Sequence, residues 1–303
     1  MSNTFVAAVI QQAISGNDKE QNLRETAEYI REAADEGAEL IVLQELHATR
    51  YFCQSENAEN FDFAESLDGP TQAFCCDLAA ELDVVLIISI FEKRAPGLYH
   101  NSALVIDGVD GVVGVYRKMH IPDDPGYYEK FYFTPGDADG EENGFAPIET
   151  RLGCLGVMVC WDQWYPEAAR LMAMAGAELL IFPTAIGWDP DDDEEEQDRQ
   201  LDAWLTVQRS HAVANGIPVI VANRTGFEVS PDDEESGIEF WGTSFIAGPQ
   251  GELLASANIE EEGVFLAEID LGQSERVRRM WPYFRDRRID AYANLCRRWL
   301  AEK

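Results

Sequence analysis

The chain has 303 residues, of which 46% are hydrophobic and 26% are charged, so its composition is that of a folded globular protein. Its 23 basic and 56 acidic residues give a formal net charge of −33, which argues against binding to nucleic acid or to an anionic membrane. Six cysteines in so long a chain do not indicate a disulfide framework, and the sequence has no motif typical of a structural metal site.

The distribution of apolar and acidic residues gives further expectations. No apolar run approaches the roughly 18 residues of a membrane helix, and no basic segment precedes the first apolar run, so we expect a cytoplasmic protein. Only five of the basic residues are lysines. A surface that is acidic and poor in lysine predicts a halophilic protein, because salt screens the repulsion between its charges. The acidic runs at residues 191–196 and 232–235 are typical of solvated loops.

Strands and helices alternate along the first half of the chain. The predicted elements are a strand at 5–10, a helix capped by Asn17 or Asp18 and ended by Gly37, a strand at 40–43, a helix at 71–82, a strand at 84–90 and a hairpin at 102–116. Continuous apolar runs of this kind are typical of strands inside an α/β protein.

The second half repeats the alternation. The predicted elements are a strand at 154–160, a helix at 167–175, a strand at 178–182, a helix at 202–215, a strand at 219–222 and a hairpin at 243–256. The two hairpins resemble each other, which hints at two similar halves. Because no linker separates the halves, we predict one domain over residues 1–273. The Arg-rich, aromatic tail at 274–303 is predicted to dock on this body or at a subunit interface.

Three strand ends carry the residues that indicate chemistry. Cys160 ends a predicted strand just before a helix that opens at Pro166. Amide N–H groups at such a turn favour a thiolate and can bind an oxyanion, although a buried cysteine at a strand end is more often structural. Glu45 and Lys118 also end strands, and strand ends on one edge of a sheet are where α/β proteins assemble their sites.

These segments resemble the nitrilase superfamily of carbon–nitrogen hydrolases. Glu45 after an apolar strand, residues 117–120 and residues 160–167 carry the resemblance, in the family's order. It implies a four-layer α-β-β-α sandwich, a triad of Glu45, Lys118 and Cys160, and Glu129 as a fourth polar residue. It also implies no metal or organic cofactor, and a homo-oligomer that is a dimer or larger.

A subfamily is implied as well. Residues 121–136, 160–164 and 182–188 resemble N-carbamoylputrescine amidases, so the expected reaction releases putrescine, CO2 and ammonia through a thioester. Glu45 is then the general base, while Lys118 and the Trp161 N–H hold the oxyanion. Glu129 is expected to orient Lys118 or the water. Its alternative role is a salt bridge to an arginine.

The expected small-molecule substrate has a ureido group and a distal amine. The candidate substrate-binding residues are Trp161, Asp162, Tyr51, His120, Thr184 and Trp188. Glu92, Asp123, Asp124 and Asp162 are candidates for contacting the amine. Core packing remains the favoured alternative for the aromatic residues, and a structural role is at least as good for His120.

Two other readings stay open. A β-ureidopropionase-like or ω-amidase-like enzyme acts on a substrate with a distal carboxylate, which requires an arginine. The arginines near predicted strand ends are Arg50, Arg94, Arg117 and Arg224. From a different functional class, the chain could be a catalytically inactive binding scaffold. The acidic insertions at 139–143, 191–196 and 230–236 leave the exact substrate open.

Overall fold

The computed structural model describes residues 4–138, 144–189, 191–231 and 236–301. Within these residues the chain forms two six-stranded sheets and one three-stranded sheet. The strands are β1 (Thr4–Gln11), β2 (Leu40–Val42), β3 (Val85–Ala95), β4 (Leu98–Asp107), β5 (Gly111–Arg117), β6 (Ile148–Thr150), β7 (Gly153–Val157), β8 (Leu179–Pro183), β9 (Gly187–Trp188), β10 (Val219–Ala222), β11 (Thr225–Val229), β12 (Gly237–Trp241), β13 (Phe245–Ala247), β14 (Leu253–Ser256) and β15 (Gly263–Asp270). The helices are α1 (Lys19–Asp35), α2 (Pro70–Leu82), α3 (Glu129–Tyr132), α4 (Pro166–Met174), α5 (Glu194–Asn215) and α6 (Leu271–Met280).

The two large sheets have the same pattern of parallel and antiparallel strands. Their strand orders are β15-β1-β2-β3-β4-β5 and β6-β7-β8-β10-β13-β14. In each sheet the second, third and fourth strands run parallel to one another, and every other pairing is antiparallel. The hairpins β4–β5 and β13–β14, whose sequences resemble each other, therefore occupy equivalent edges of the two sheets.

The sheets and helices form the α-β-β-α sandwich that the sequence predicted. Alternate residues of β1 point to opposite faces, as the pleat of a strand requires. Ala8 and Ile10 pack in a core with Leu23 and Ile30 of α1, on the helix side of the first sheet. Val9 packs in the core shared with the second sheet, and β1 contacts β10 across the sheet interface. The core is thus divided into layers by the first sheet.

Helix α1 begins and ends where local chemistry predicts. The Asp18 side chain accepts a hydrogen bond from the Gln21 N–H and caps the helix, so of the two predicted caps it is Asp18 that acts. Leu23, Ala27 and Ile30 lie on its buried face. Gly37 has a φ of 95°, a left-handed conformation that glycine adopts without a side-chain clash and that ends the helix.

Helix α5 corrects one expectation. The run at 191–196 was predicted to be a solvated loop, but Asp193 caps α5 and residues 194–196 form its first turn. The prediction was wrong for residues 194–196, because acidic side chains also stabilise the N-terminus of a helix, whereas residues 191–193 lie before the helix. The runs at 139–143 and 232–235 lie outside the described residues.

The C-terminal segment begins within a helix. Residue 274, where the predicted tail starts, falls inside α6. Beyond this helix, the Phe284 ring lies beneath the guanidinium groups of Arg170, Arg278 and Arg287, at 4.9 to 5.7 Å from its centroid. These contacts join the segment to α4 through Arg170. No helix among the described residues is both long and apolar enough to cross a membrane.

Candidate active site

Strand ends from both sheets meet at one place. Glu45 follows β2 of the first sheet, and its N–H donates to the carbonyl of Thr184, which follows β8 of the second sheet, at 3.3 Å. Lys118 follows β5, and Cys160 opens a short 3-10 turn after β7. Cys160 has a φ of 42°, a conformation that costs a non-glycine residue energy and that clusters at functional sites.

Lys118 lies between two carboxylates. Its Nζ donates to Glu45 Oε1 at 2.8 Å and to both oxygens of Glu129 at 2.9 and 2.7 Å. All three side chains are fully buried. Burial opposes the charge of Lys118, but the charges of Glu129 and Glu45 outweigh burial and hold the pKa of the ammonium well above its ordinary value. Lys118 is therefore expected to carry a positive charge near neutral pH.

Glu129 has a second partner. The Tyr51 hydroxyl, itself buried, donates to Glu129 Oε1 at 2.7 Å. Burial raises the pKa of Glu129 to about 7, with Lys118 opposing the rise and the charge of Glu45 adding to it. The carboxylate is thus bound by Lys118 and Tyr51, and the arginine salt bridge considered as an alternative is replaced by a lysine contact.

Cys160 is a buried thiol that needs a base. Burial and the charge of Glu45 raise its pKa well above the ordinary value, although Lys118 opposes them. The thiol is therefore protonated near neutral pH. Glu45 Oε1 accepts from Lys118 and, at 2.6 Å, from Asn101 Nδ2. Its Oε2 is buried and has no hydrogen-bond partner among the described residues, which leaves one carboxylate oxygen available to accept a proton.

A cavity of about 350 Å³ gives access to the thiol. Cys160 and Trp161 lie on its wall, together with three carboxylates, Asp124, Asp189 and Asp192. Its lining residues, all within the described part of the chain, include neither lysine nor arginine. The cavity therefore combines a nucleophile with a surface suited to a cation.

Comparison with known proteins identifies the family. The carbon-nitrogen hydrolase family model matches residues 6–279. The chain belongs to this family. The nitrilase-superfamily assignment made from the sequence is thereby confirmed.

This carbon–nitrogen hydrolase is similar along nearly its whole length to several individual proteins. It is 44% identical to an N-carbamoylputrescine amidase from Oryza sativa subsp. japonica, covering 96% of this chain and 94% of the relative. It is 38% identical to a citrullinase from Francisella tularensis, covering 99% and 100%. A crystal structure of a carbon-nitrogen hydrolase from Helicobacter pylori G27 matches with a TM-score of 0.93 and 52% identity over 98% of this chain and 100% of that one.

Three predicted substrate-binding residues of the hydrolase contact protein groups. Asp162 is fully buried and accepts from the Tyr116 hydroxyl at 2.8 Å and the Val159 N–H at 3.1 Å. His120 contacts Asp162 through its N–H at 2.9 Å and its Nδ1 at 2.6 Å. The Thr184 hydroxyl lies 3.2 Å from Gln163 Oε1. Asp162 therefore joins the loop after Lys118 to the turn that carries Cys160.

The other candidates divide between the cavity wall and its surroundings. Trp161 lines the cavity, whereas Trp188 lines a neighbouring cavity of about 290 Å³ and donates its indole N–H to Gln197. Glu92 is buried and paired with Arg117 at 2.7 Å, while Asp123 is exposed. Of the four acids considered for an amine contact, Asp124 is the one on the cavity wall.

Sequence reasoning missed several residues around the site. Asp192 was seen only as part of the acidic run at 191–196, and neither Asp189 nor Asn101 was considered. Arg224 was considered only as a possible ligand for a substrate carboxylate, but it is buried against Glu228 and backbone carbonyls. It lies two residues after the buried strand β10, and a position just after a buried strand is the same signal that singled out Glu45. Among the described residues, no group of three or more His, Cys, Asp or Glu residues could hold a metal ion.

Proposed function

We propose that this hydrolase removes the carbamoyl group of N-carbamoylputrescine to give putrescine, CO2 and ammonia. The observation that carries the proposal is the cavity in which Cys160 shares the wall with Asp124, Asp189 and Asp192 and with no cationic side chain. The substrate has a neutral ureido group at one end of a four-carbon chain and an ammonium at the other. The plant relative, 44% identical over nearly the whole chain, supports the same substrate.

In the proposed reaction, the Cys160 thiol gives its proton to Glu45 as sulfur attacks the carbamoyl carbon. Lys118 and the backbone N–H of Trp161 stabilise the tetrahedral oxyanion. Glu45 returns the proton to the leaving nitrogen, and a thioester remains on Cys160. Glu45 then takes a proton from water, which attacks this S-carbamoyl thioester, and passes the proton to the departing sulfur of Cys160. The carbamic acid that is released breaks down to CO2 and the remaining amine. Glu129 holds Lys118 in place through both of its carboxylate oxygens.

The arginines argue against a substrate with a distal carboxylate. Each of the four considered has a partner away from the cavity. Arg50 donates to the Ser15 carbonyl, Arg94 to Asp137, Arg117 to Glu92 and Arg224 to Glu228. This favours a substrate with a distal amine over the substrates of β-ureidopropionase-like or ω-amidase-like enzymes, which have a distal carboxylate. Citrulline carries an ammonium and a carboxylate on one carbon, so the similarity to a citrullinase makes it the necessary competitor in any assay.

The arrangement of charges also argues against an inactive scaffold. Burying Lys118 with Glu45 and Glu129 carries a desolvation penalty that hydrophobic residues of similar volume avoid. The raised pKa of Glu129 and the positive φ of Cys160 add to this cost. A binding scaffold has no need for these features, whereas an acid–base enzyme uses them.

Ammonia release from a panel of substrates tests the proposal. N-carbamoylputrescine, citrulline and N-carbamoyl-β-alanine are supplied separately in molar KCl, with Cys160→Ala as the inactive control. We expect turnover of the amine substrate at a kcat/KM at least tenfold above the others. Preference for N-carbamoyl-β-alanine or citrulline would keep the thiol mechanism but refute the proposed substrate.

We also propose that the hydrolase is a homo-oligomer that supplies putrescine for polyamine synthesis. Leu171 and Met174 of α4 and Val213 of α5 are exposed apolar side chains, as are Trp281 and Trp299 of the C-terminal segment. Such residues are compatible with subunit contacts. A monomer by light scattering in molar KCl would contradict the oligomer. The cytoplasmic location stays a prediction.

A further inference from the structure

We propose that Arg224 and Glu228 form a positioning pair that sets the places of both carboxylates around Lys118. Arg224 is 0% and Glu228 2% exposed, and Arg224 Nη1 donates to Glu228 Oε1 at 2.6 Å. Neither residue is among those that line the cavity. This inference is tested by two assays, substrate turnover and alkylation of Cys160. Only the turnover assay rests on the proposed function, because alkylation needs no substrate.

Arg224 fixes the backbone that carries Glu45. Its Nη2 donates to the Glu45 carbonyl at 3.0 Å and to the Leu46 carbonyl at 2.6 Å, and its Nε lies 3.3 Å from the Glu45 carbonyl. Leu46 has a φ of 49°, a strained conformation that persists only when its surroundings enforce it. The planar guanidinium fork supplies several donors in fixed directions, which suits two consecutive carbonyl oxygens.

Glu228 connects Arg224, through Tyr51, to Glu129, the second carboxylate beside Lys118. Its Oε2 accepts from the Tyr51 N–H at 2.6 Å, and the hydroxyl of the same Tyr51 donates to Glu129 at 2.7 Å. One oxygen of Glu228 therefore holds Arg224, and the other holds the residue that orients Glu129. The two sides of Lys118 are thus coupled through a single buried ion pair.

The pair also joins the two halves of the sandwich. Arg224 follows β10 of the second sheet, whereas Glu45 follows β2 of the first. Stability alone is a weak reason for such a pair, since well-packed apolar residues often stabilise a core as well as a buried ion pair does. We infer that the pair places Glu45 relative to Cys160, which follows β7 of the second sheet.

The test compares Arg224→Lys and Glu228→Gln with Glu65→Gln as a matched control. Glu65 pairs with Lys19 at 2.5 Å and its side chain is 9% exposed, but neither residue of this pair bonds to the triad. Two quantities are measured on each folded variant: kcat and KM with N-carbamoylputrescine, and the rate of iodoacetamide alkylation at Cys160, located by mass spectrometry.

If the variants displace Glu45, then kcat, KM and the alkylation rate should change in a specific pattern. We expect Arg224→Lys to lower kcat by about 10²-fold, the cost of a misplacement near 1 Å, while KM changes less than threefold. Alkylation should slow in parallel, because Glu45 takes the thiol proton in both reactions. Glu228→Gln should have a smaller effect, because the amide keeps one acceptor oxygen. Glu65→Gln should change neither kcat nor alkylation.

Opposite results would overturn the pair's role. If Arg224→Lys and Glu228→Gln lower the melting temperature yet keep wild-type kcat and alkylation rates, the pair is structural only. Should Arg224→Lys not fold, Glu228→Gln decides by the same two readouts. If the wild type does not hydrolyse N-carbamoylputrescine, the proposed function fails, but the alkylation comparison still decides the role of the pair.

Discussion

Glu129→Gln should change how the stability of the protein depends on pH. The pKa of Glu129 is raised from 4.5 to about 7, so folding favours the protonated carboxyl. Below pH 4.5 both the folded and unfolded states hold this proton. Between pH 4.5 and 7 only the folded state holds it, so stability falls as the pH rises through this range. Above pH 7 the favourable contribution is lost, a total of roughly 3 kcal/mol.

The glutamine side chain cannot ionise in this range, so the variant does not lose stability as the pH rises in the way that the wild type does. Measured by urea unfolding, the free energy of unfolding of Glu129→Gln minus that of the wild type should rise by roughly 3 kcal/mol from pH 4.5 to pH 8. If unfolding is irreversible, the infrared band of a protonated carboxyl should titrate near pH 7 in the wild type and be absent in the variant. A difference that is flat or falls with pH would refute the proposed protonation of Glu129.

Three further changes test other parts of the account. Lys118→Met should lower kcat by at least 10²–10³-fold, because it removes a charged oxyanion donor, and wild-type kcat would exclude that role. Asp189→Asn should raise KM for N-carbamoylputrescine by about three- to tenfold while leaving kcat within twofold, since the acid lies on the cavity wall but is not one of the triad residues. Equal effects on N-carbamoyl-β-alanine would show that Asp189 does not recognise the amine. The melting temperature should be higher in molar KCl than in dilute buffer, because salt screens a net charge of −33, and equal temperatures would contradict a halophilic protein.

The candidate catalytic residues at strand ends could be singled out from the sequence because the signals are local. Glu45 and Cys160 follow continuous apolar runs, and the ends of such strands converge at a sheet edge. Glu129 has no comparable signal of its own, since it starts a four-residue helix in a loop region. Its place beside Lys118 was expected only from family resemblance.

Contacts between distant segments could not be predicted. Arg224 bonds to the Glu45 carbonyl across 179 positions of sequence, and only the packing of the two sheets brings them together. Asp162 was expected to contact a substrate amine because it is an acid beside the nucleophile. Whether a carboxylate faces solvent or is satisfied by internal donors such as Tyr116 depends on tertiary structure.

Some secondary structure lacked a sequence signal for the same reason. Strand β15 is mostly half-buried and pairs with β1, more than 250 residues away. Strand β9 has two residues and exists only because β12 lies beside it. Such strands depend on their partners more than on their own composition.

The most direct test of the central claim is to trap the intermediate. The enzyme is mixed with N-carbamoylputrescine, quenched in acid during turnover and digested, and the peptide that contains Cys160 is examined by mass spectrometry. We predict an adduct on Cys160 alone, whose mass shows whether ammonia or putrescine leaves first, and its absence from Cys160→Ala. Turnover that continues in Cys160→Ala, or an adduct on another of the six cysteines, would contradict the account.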